Sequence, residues 1–117
     1  MKIRLLIGDS VHTATLLDTP AARDFASQLP LTLSLKDYES TEKIADLPRK
    51  LAAEGAPEGH DPSPGDIAYY APWGNLAIYY RDFGYSRGLV QLGRIDAEAI
   101  TALAVKGSVQ VSLERAE

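Results

Sequence analysis

The stretch Leu31-Thr32-Leu33-Ser34-Leu35-Lys36-Asp37 alternates apolar and polar side chains. A two-residue period of this kind fits an extended strand with one face buried, with Leu31, Leu33 and Leu35 inward. Val109-Gln110-Val111-Ser112-Leu113 repeats the pattern. Further strand signals lie at Lys2–Ile7, Val11–Leu17, Ile67–Ala71, Leu76–Tyr80 and Leu89–Ile95, rich in β-branched and aromatic residues and set between turn residues. Only two segments carry a helical signature. Thr19 offers an N-cap oxygen and Pro20 suits the first helical position, after which Ala22, Phe25, Ala26 and Leu29 form one apolar stripe ending at Pro30. Asp96 caps a second helix whose Ile100, Leu103 and Ala104 are expected to face inward until Lys106-Gly107 closes it. The resulting order is strand, strand, helix, three strands, another strand, helix, strand. It lacks the regular βαβ alternation of a parallel sheet, so a mainly β fold is expected, an antiparallel barrel or sandwich covered by two helices.

Gly8-Asp9 supplies the turn of an opening hairpin. A second hairpin is predicted around Pro72-Trp73-Gly74-Asn75, in a register that sets Tyr69 against Ile78 and Ala71 against Leu76. Ile67, Tyr69, Leu76, Ile78 and Tyr80 then line the core, while Tyr70 faces Ala77 and Ala68 faces Tyr79 on the opposite side. The segment from Glu39 to Leu51 is acidic and weakly patterned. It leads into a loop through Gly55, Pro57, Gly59, Pro62, Pro64 and Gly65, of a length that is usually functional or mobile.

At 117 residues with 45% apolar content, the chain reads as one domain spanning residues 1–117. The absence of cysteine excludes disulfides, thiolate metal sites and thiol nucleophiles. The N-terminal apolar run is too short for a signal peptide and nothing approaches a membrane span, so a cytoplasmic protein with no membrane partner is expected. A net charge of −4 argues against a nucleic-acid partner. Charge is nevertheless unevenly placed: Asp37 to Asp66 holds eight acids against three bases, whereas Leu76 to Arg94 holds Arg81, Arg87 and Arg94 against Asp82 alone.

Gly8-Asp9-Ser10 resembles the nucleophile block of GDSL-type esterases, in which the histidine base lies near the C-terminus. Here the histidines are His12 and His60, and none follows, so the run is read as a hairpin turn. Two histidines 48 positions apart have no metal-ligand spacing and are read as solvated loop residues; no metal and no cofactor are expected. The sharpest local feature is aromatic. Seven of the nine aromatic residues (Tyr69, Tyr70, Trp73, Tyr79, Tyr80, Phe83, Tyr85) fall within 17 positions. The hairpin register places Tyr70 and Tyr79 opposite the core and Trp73 at a turn, beside Arg81 and Arg87. Two readings stay open: packing beneath adjacent loops, or a contact surface for a peptide or small molecule. The candidate ligand-binding residues are Tyr70, Trp73, Asn75, Tyr79, Arg81, Tyr85 and Arg87.

The run from Gly65 to Tyr80, with Tyr38, the Thr41-Glu42-Lys43-Ile44 stretch and Leu92-Gly93-Arg94-Ile95, resembles a bacterial and archaeal family of small cyclophilin-like proteins. The resemblance covers essentially the whole chain and implies a closed antiparallel barrel with two capping helices. True cyclophilins hold proline in a groove on the outer barrel surface, using an arginine, a phenylalanine, a glutamine, and a tryptophan and a histidine at the rim. Their Phe-His-Arg run and Gln-Gly-Gly segment are missing here. Arg87, Arg94, Gln91 and Trp73 supply similar residue types in other contexts, so no catalytic residue is carried over. The expected function is a peptide- or small-ligand-binding module. The alternatives are a prolyl isomerase with a rearranged site, and a homo-oligomerisation module that buries the aromatic face against a second copy.

Overall fold

The computed structural model describes residues 1–116. These form ten strands and two helices: β1 (Lys2–Ile7), β2 (Ser10–Leu16), α1 (Pro20–Ser27), β3 (Leu31–Tyr38), β4 (Glu42–Asp46), β5 (Gly59–His60), β6 (Asp66–Tyr70), β7 (Asn75–Tyr79), β8 (Ser86–Arg87), β9 (Leu89–Ile95), α2 (Ala97–Leu103) and β10 (Val109–Arg115). Eight strands close into an antiparallel barrel in the order β1-β10-β3-β4-β7-β6-β9-β2, and β5 and β8 form a separate two-stranded ribbon. No helix among the described residues is long and apolar enough to cross a membrane.

The expected barrel and both helices are present. Thr19 Oγ1 accepts the Ala22 amide at the start of α1, and Asp96 does the same for Ala99 at α2 while also accepting the Thr13 amide. Phe25, Ala22 and Ala26 of α1 join Ile3, Leu5, Leu35, Val111 and Leu113 in one core. Each large side chain buried there contributes roughly 1.5–3 kcal/mol. In α2 the buried positions are Ala99 and Leu103; Ala104 is the C-cap and exposed, one residue past the apolar stripe.

Three local expectations are corrected. The second hairpin pairs Ile67 with Ile78, Tyr69 with Leu76 and Tyr70 with Asn75, a shift of two residues from the predicted register. The turn is Ala71 to Gly74, with Gly74 at φ 72°. An even shift leaves every side chain on its predicted face. Tyr80 lies beyond β7 rather than in the core, and its hydroxyl donates to Asp37. The segment after Glu39 contains β4, the strand that bridges β3 to β7. Its Glu42 and Lys43 are both buried, although charged, and so erase the hydropathy signal.

Gly93 marks the seam where β2 meets β9, paired with Leu16. A Cβ there would stand 2.3 Å from the Thr15 carbonyl oxygen and 2.9 Å from Leu16 Cα. Because both obstacles are backbone, Gly93→Ala must pry the seam apart. A loss of about 3 kcal/mol, the upper end for overpacking, is expected in urea unfolding; unchanged stability would mean the seam has slack.

Candidate functional site

Strand alternation sends half of each barrel strand outward, and in an isolated barrel that face would be wet. Here part of it is dry. Ile44 of β4, Ala68 of β6, Ala77 and Tyr79 of β7, and Leu89 of β9 form a second buried cluster outside the barrel, flanked by Tyr38 and Tyr70. Ala68 and Ala77 pair directly at its centre. Two small side chains between larger ones leave a depression in the sheet surface. Phe83, in the connection after β7, leans over it with its ring 6.2 Å from that of Tyr79. The β5–β8 ribbon holds the other end of the connection, pairing Gly59 with Arg87 and His60 with Ser86.

Beside this cluster, on the same outer face, lies a pocket of about 110 Å³ lined by Tyr38, Glu42, Ile44, Tyr70, Trp73, Asn75, Phe83 and Ser86. Trp73 stands on the turn between β6 and β7, half exposed. It meets Tyr38 edge-on at 5.7 Å and 88°, and Tyr70 at 5.4 Å and 78°. Such perpendicular pairs follow from the ring quadrupole and hold the three rings as walls.

The polar groups of the pocket are buried and incompletely matched. Glu42 is 6% exposed. Burial pushes its carboxyl up to about 7, the Tyr79 and Thr41 hydroxyls offset part of that rise, and the nearby Asp37 and Glu39 add to it. Burial and the Glu42 carboxylate likewise push the Tyr79 hydroxyl well above its ordinary range. Asn75 is 4% exposed, and its Oδ1 has no hydrogen-bond partner. An unmatched buried amide oxygen costs about 1–3 kcal/mol.

One edge of the same face is held by Asp66, 1% exposed. Its Oδ2 lies 2.8 Å from His60 Nε2 and accepts the Ser63 amide at 2.9 Å, while its Oδ1 accepts from Gln91 Nε2 at 3.3 Å and from Arg94 Nη1. Arg94 Nη2 also donates to the Pro64 carbonyl at 2.8 Å. This network pins the long Pro/Gly-rich loop, and with it the ribbon, to β6 and β9. A more apolar cavity of about 210 Å³ lies between α1 and that loop, walled by Leu17, Pro20, Ala56, Leu89 and Val90, with His60 and Gln91 at its polar side. There both polar side chains already meet Asp66.

Of the seven residues singled out from the sequence, Tyr70, Trp73 and Asn75 line the outer pocket together. Tyr79 lies buried in the cluster beside it. The other three sit elsewhere. Arg81 lies 5.9 Å from the Tyr80 ring, in a separate depression with Asp37 and Lys106. Arg87 pairs with Glu58 at 2.5 Å in solvent, and exposed Tyr85 packs its ring over Gly59. Sequence reasoning passed over Tyr38, Glu42, Ile44, Phe83 and Ser86. Glu42 and Ile44 share one strand face with Lys43 opposite, a pattern legible only once β4 is recognised as a strand.

His12 proves to be a buried strand residue rather than a loop histidine. Its Nε2 lies 2.9 Å from Ser10 Oγ and its Nδ1 3.7 Å from Asp96 Oδ1. The three resemble a hydrolytic triad on paper. The Ser10 hydroxyl, however, donates to the Ile7 carbonyl, which leaves His12 to donate to the serine, the reverse of what a general base must do. Gly8-Asp9 is the tight hairpin turn expected. Among the described residues no group of three or more histidines, aspartates or glutamates is placed to hold a metal ion.

The model of the cyclophilin-like family matches residues 5–114. The solution structure of a hypothetical protein from Archaeoglobus fulgidus is similar over 99% of this chain and 95% of its own, with a TM-score of 0.64 and 18% identity. The structure of McbB in complex with tryptophan is similar over 97% of this chain but 44% of its own, with a TM-score of 0.60 and 14% identity; this chain thus spans under half of McbB. Comparison with curated proteins finds no match. With the family pattern running through nearly every barrel strand, and the barrel itself closed as that pattern implies, the chain belongs to the cyclophilin-like family.

Proposed function

We propose that the protein is a binding module that takes a small molecule, or one side chain of a peptide, into the outer-face pocket. The observation that carries this reading is the pairing of three aromatic walls with a buried carboxyl, Glu42, that has no ion-pair partner among the described residues, beside an Asn75 oxygen with no hydrogen-bond partner. Folding alone gives no reason to leave such groups at the foot of an open aromatic pocket, since each lowers stability until something meets it.

Trp73 is the sole tryptophan, so intrinsic fluorescence reports on this pocket. Titration with a panel of amino-acid amides and short peptides should give saturable fluorescence changes, with amide NMR shifts centred on Tyr70, Trp73 and Asn75. Trp73→Ala should keep the fold, because that side chain is half exposed, and should abolish the NMR response. Shifts centred instead on residues 54–60, or none across the panel, would overturn the reading.

Prolyl isomerisation is the second reading, supported by the position of the pocket on the outside of the barrel. Lowering the roughly 18–20 kcal/mol barrier asks for a donor aimed at the prolyl nitrogen. Arg94 is committed to Asp66 and Pro64, so binding without catalysis is favoured. In a coupled peptide assay, micromolar protein is expected to leave the tens-of-seconds uncatalysed rate unchanged; clear acceleration would reverse the order of the two readings.

A further inference from the structure

Trp73 with Tyr38 and Tyr70 each set nearly perpendicular to it, lining a small space with a carboxyl group in its wall, forms an arrangement with its own chemistry. Aromatic faces carry the negative end of the ring quadrupole and attract cations, most strongly at tryptophan. The rings of Tyr38, Tyr70 and Trp73, joined by Phe83, thus surround a pocket that favours positive charge. Glu42 lies in the same pocket, and no arginine, lysine or histidine among the described residues forms an ion pair with it. Lys43, its neighbour in the chain, points to the opposite face, where its ammonium meets the Val105 and Gly107 carbonyls at 2.5 and 2.6 Å and Asp37 at 3.4 Å. Glu39, in the turn between β3 and β4, adds further negative charge near Glu42.

Resting on the ligand-binding reading above, we infer that the outer-face pocket is built to take an alkylammonium group, with Tyr38, Tyr70 and Trp73 as its aromatic walls and Glu42 as its counter-ion. The volume of about 110 Å³ suits a head group of a few heavy atoms. The rest of the ligand extends past half-exposed Trp73 into solvent. A bound cation also meets the requirement for a partner that burial imposes on the Glu42 carboxylate.

The discriminating pair of probes is choline and 3,3-dimethyl-1-butanol, which have nearly the same shape and differ in charge. At matched ionic strength, choline should perturb Trp73 fluorescence saturably and bind at least tenfold more tightly than the neutral analogue. Glu42→Gln, which keeps the shape of the side chain, should weaken choline at least fivefold and leave the analogue unchanged. Tyr70→Leu should weaken choline with the thermal midpoint monitored as a control for folding. A short peptide bearing trimethyllysine separates the two sources of the group: tighter binding than choline assigns it to a side chain, weaker binding to a free small molecule. Equal affinity for choline and its analogue would overturn the ammonium assignment while the ligand-binding reading stands. No response to choline, with saturable binding of neutral probes from the panel, would do the same. Silence from every probe would overturn both.

Discussion

Between pH 4.5 and 7 the protein should lose about 3 kcal/mol of stability, and Glu42→Gln should remove most of that loss. Glu42 is pushed from an ordinary 4.5 up to about 7 in the folded chain, chiefly by burial. Below pH 4.5 it is protonated in both states and has no effect. As the pH rises, the unfolded chain ionises first, so it binds fewer protons than the folded chain and unfolding becomes easier. Above pH 7 both states are ionised and the loss stays constant. A displacement of this size corresponds to about 3 kcal/mol at 1.36 kcal/mol per pH unit. The groups that act on Glu42 are Tyr79 on β7, Thr41 at the head of β4, Asp37 on β3 and Glu39 in the turn between β3 and β4. Tyr79 stays protonated throughout this window, and Asp37 is held below its ordinary value, chiefly by the Tyr80 hydroxyl, so it stays ionised. Urea unfolding at closely spaced pH values, run on both proteins, isolates Glu42 as the difference between two curves. Parallel curves would show that its carboxyl ionises as freely in the folded chain as in the unfolded one, and that burial does not hold it protonated.

Asp66→Ala should cost about 3 kcal/mol and open the roof of the pocket. Asp66 accepts from Arg94, from Gln91 and from the Ser63 amide, and meets His60, with 1% of its surface exposed. Removing one partner of a buried ion pair costs roughly 3–5 kcal/mol, because the other is left uncompensated. Arg94 is half exposed and can turn to water, which puts the expectation at the low end. Asp66→Asn keeps the shape and one acceptor and should cost less. The functional consequence follows from connectivity. His60 belongs to β5, β5 pairs with β8, and β8 anchors the connection that carries Phe83 and Ser86 over the pocket. Hydrogen exchange should therefore quicken at Gly59, His60, Ser86 and Arg87 in Asp66→Ala while the barrel amides stay protected. Loss of protection throughout would mean that Asp66 supports the barrel and not the cover.

Most strands of the barrel were legible because their signal is local. Leu31 to Asp37 and Val109 to Leu113 carry their period within one strand length, and the caps at Thr19 and Asp96 need only three residues to act. Even with the turn misjudged, the aromatic hairpin kept its faces, since a shift of two residues preserves parity. The candidate site was half legible for the same reason. Tyr70, Trp73 and Asn75 are neighbours on one hairpin, whereas Tyr38, Glu42 and Ile44 reach the pocket only through the pairing of β4 with β3 and β7.

The residues by themselves determined a β-rich antiparallel fold with two helices, because periodicity and capping are properties of adjacent residues; they left barrel and sandwich both open, and it was the family resemblance that implied closure. Only the tertiary structure decided that part of the outer face is dry, that Tyr79 lies buried beside the pocket, and that two consecutive charged residues, Glu42 and Lys43, are both buried. Burial of a charge depends on what the rest of the chain brings to it: backbone carbonyls and Asp37 around Lys43, and an aromatic wall with no partnering cation around Glu42. Asp37 and Tyr38 come from the adjacent strand β3, whereas Val105, Gly107, Tyr70 and Trp73 lie tens of residues away in the chain, and closure of the barrel is what brings these together.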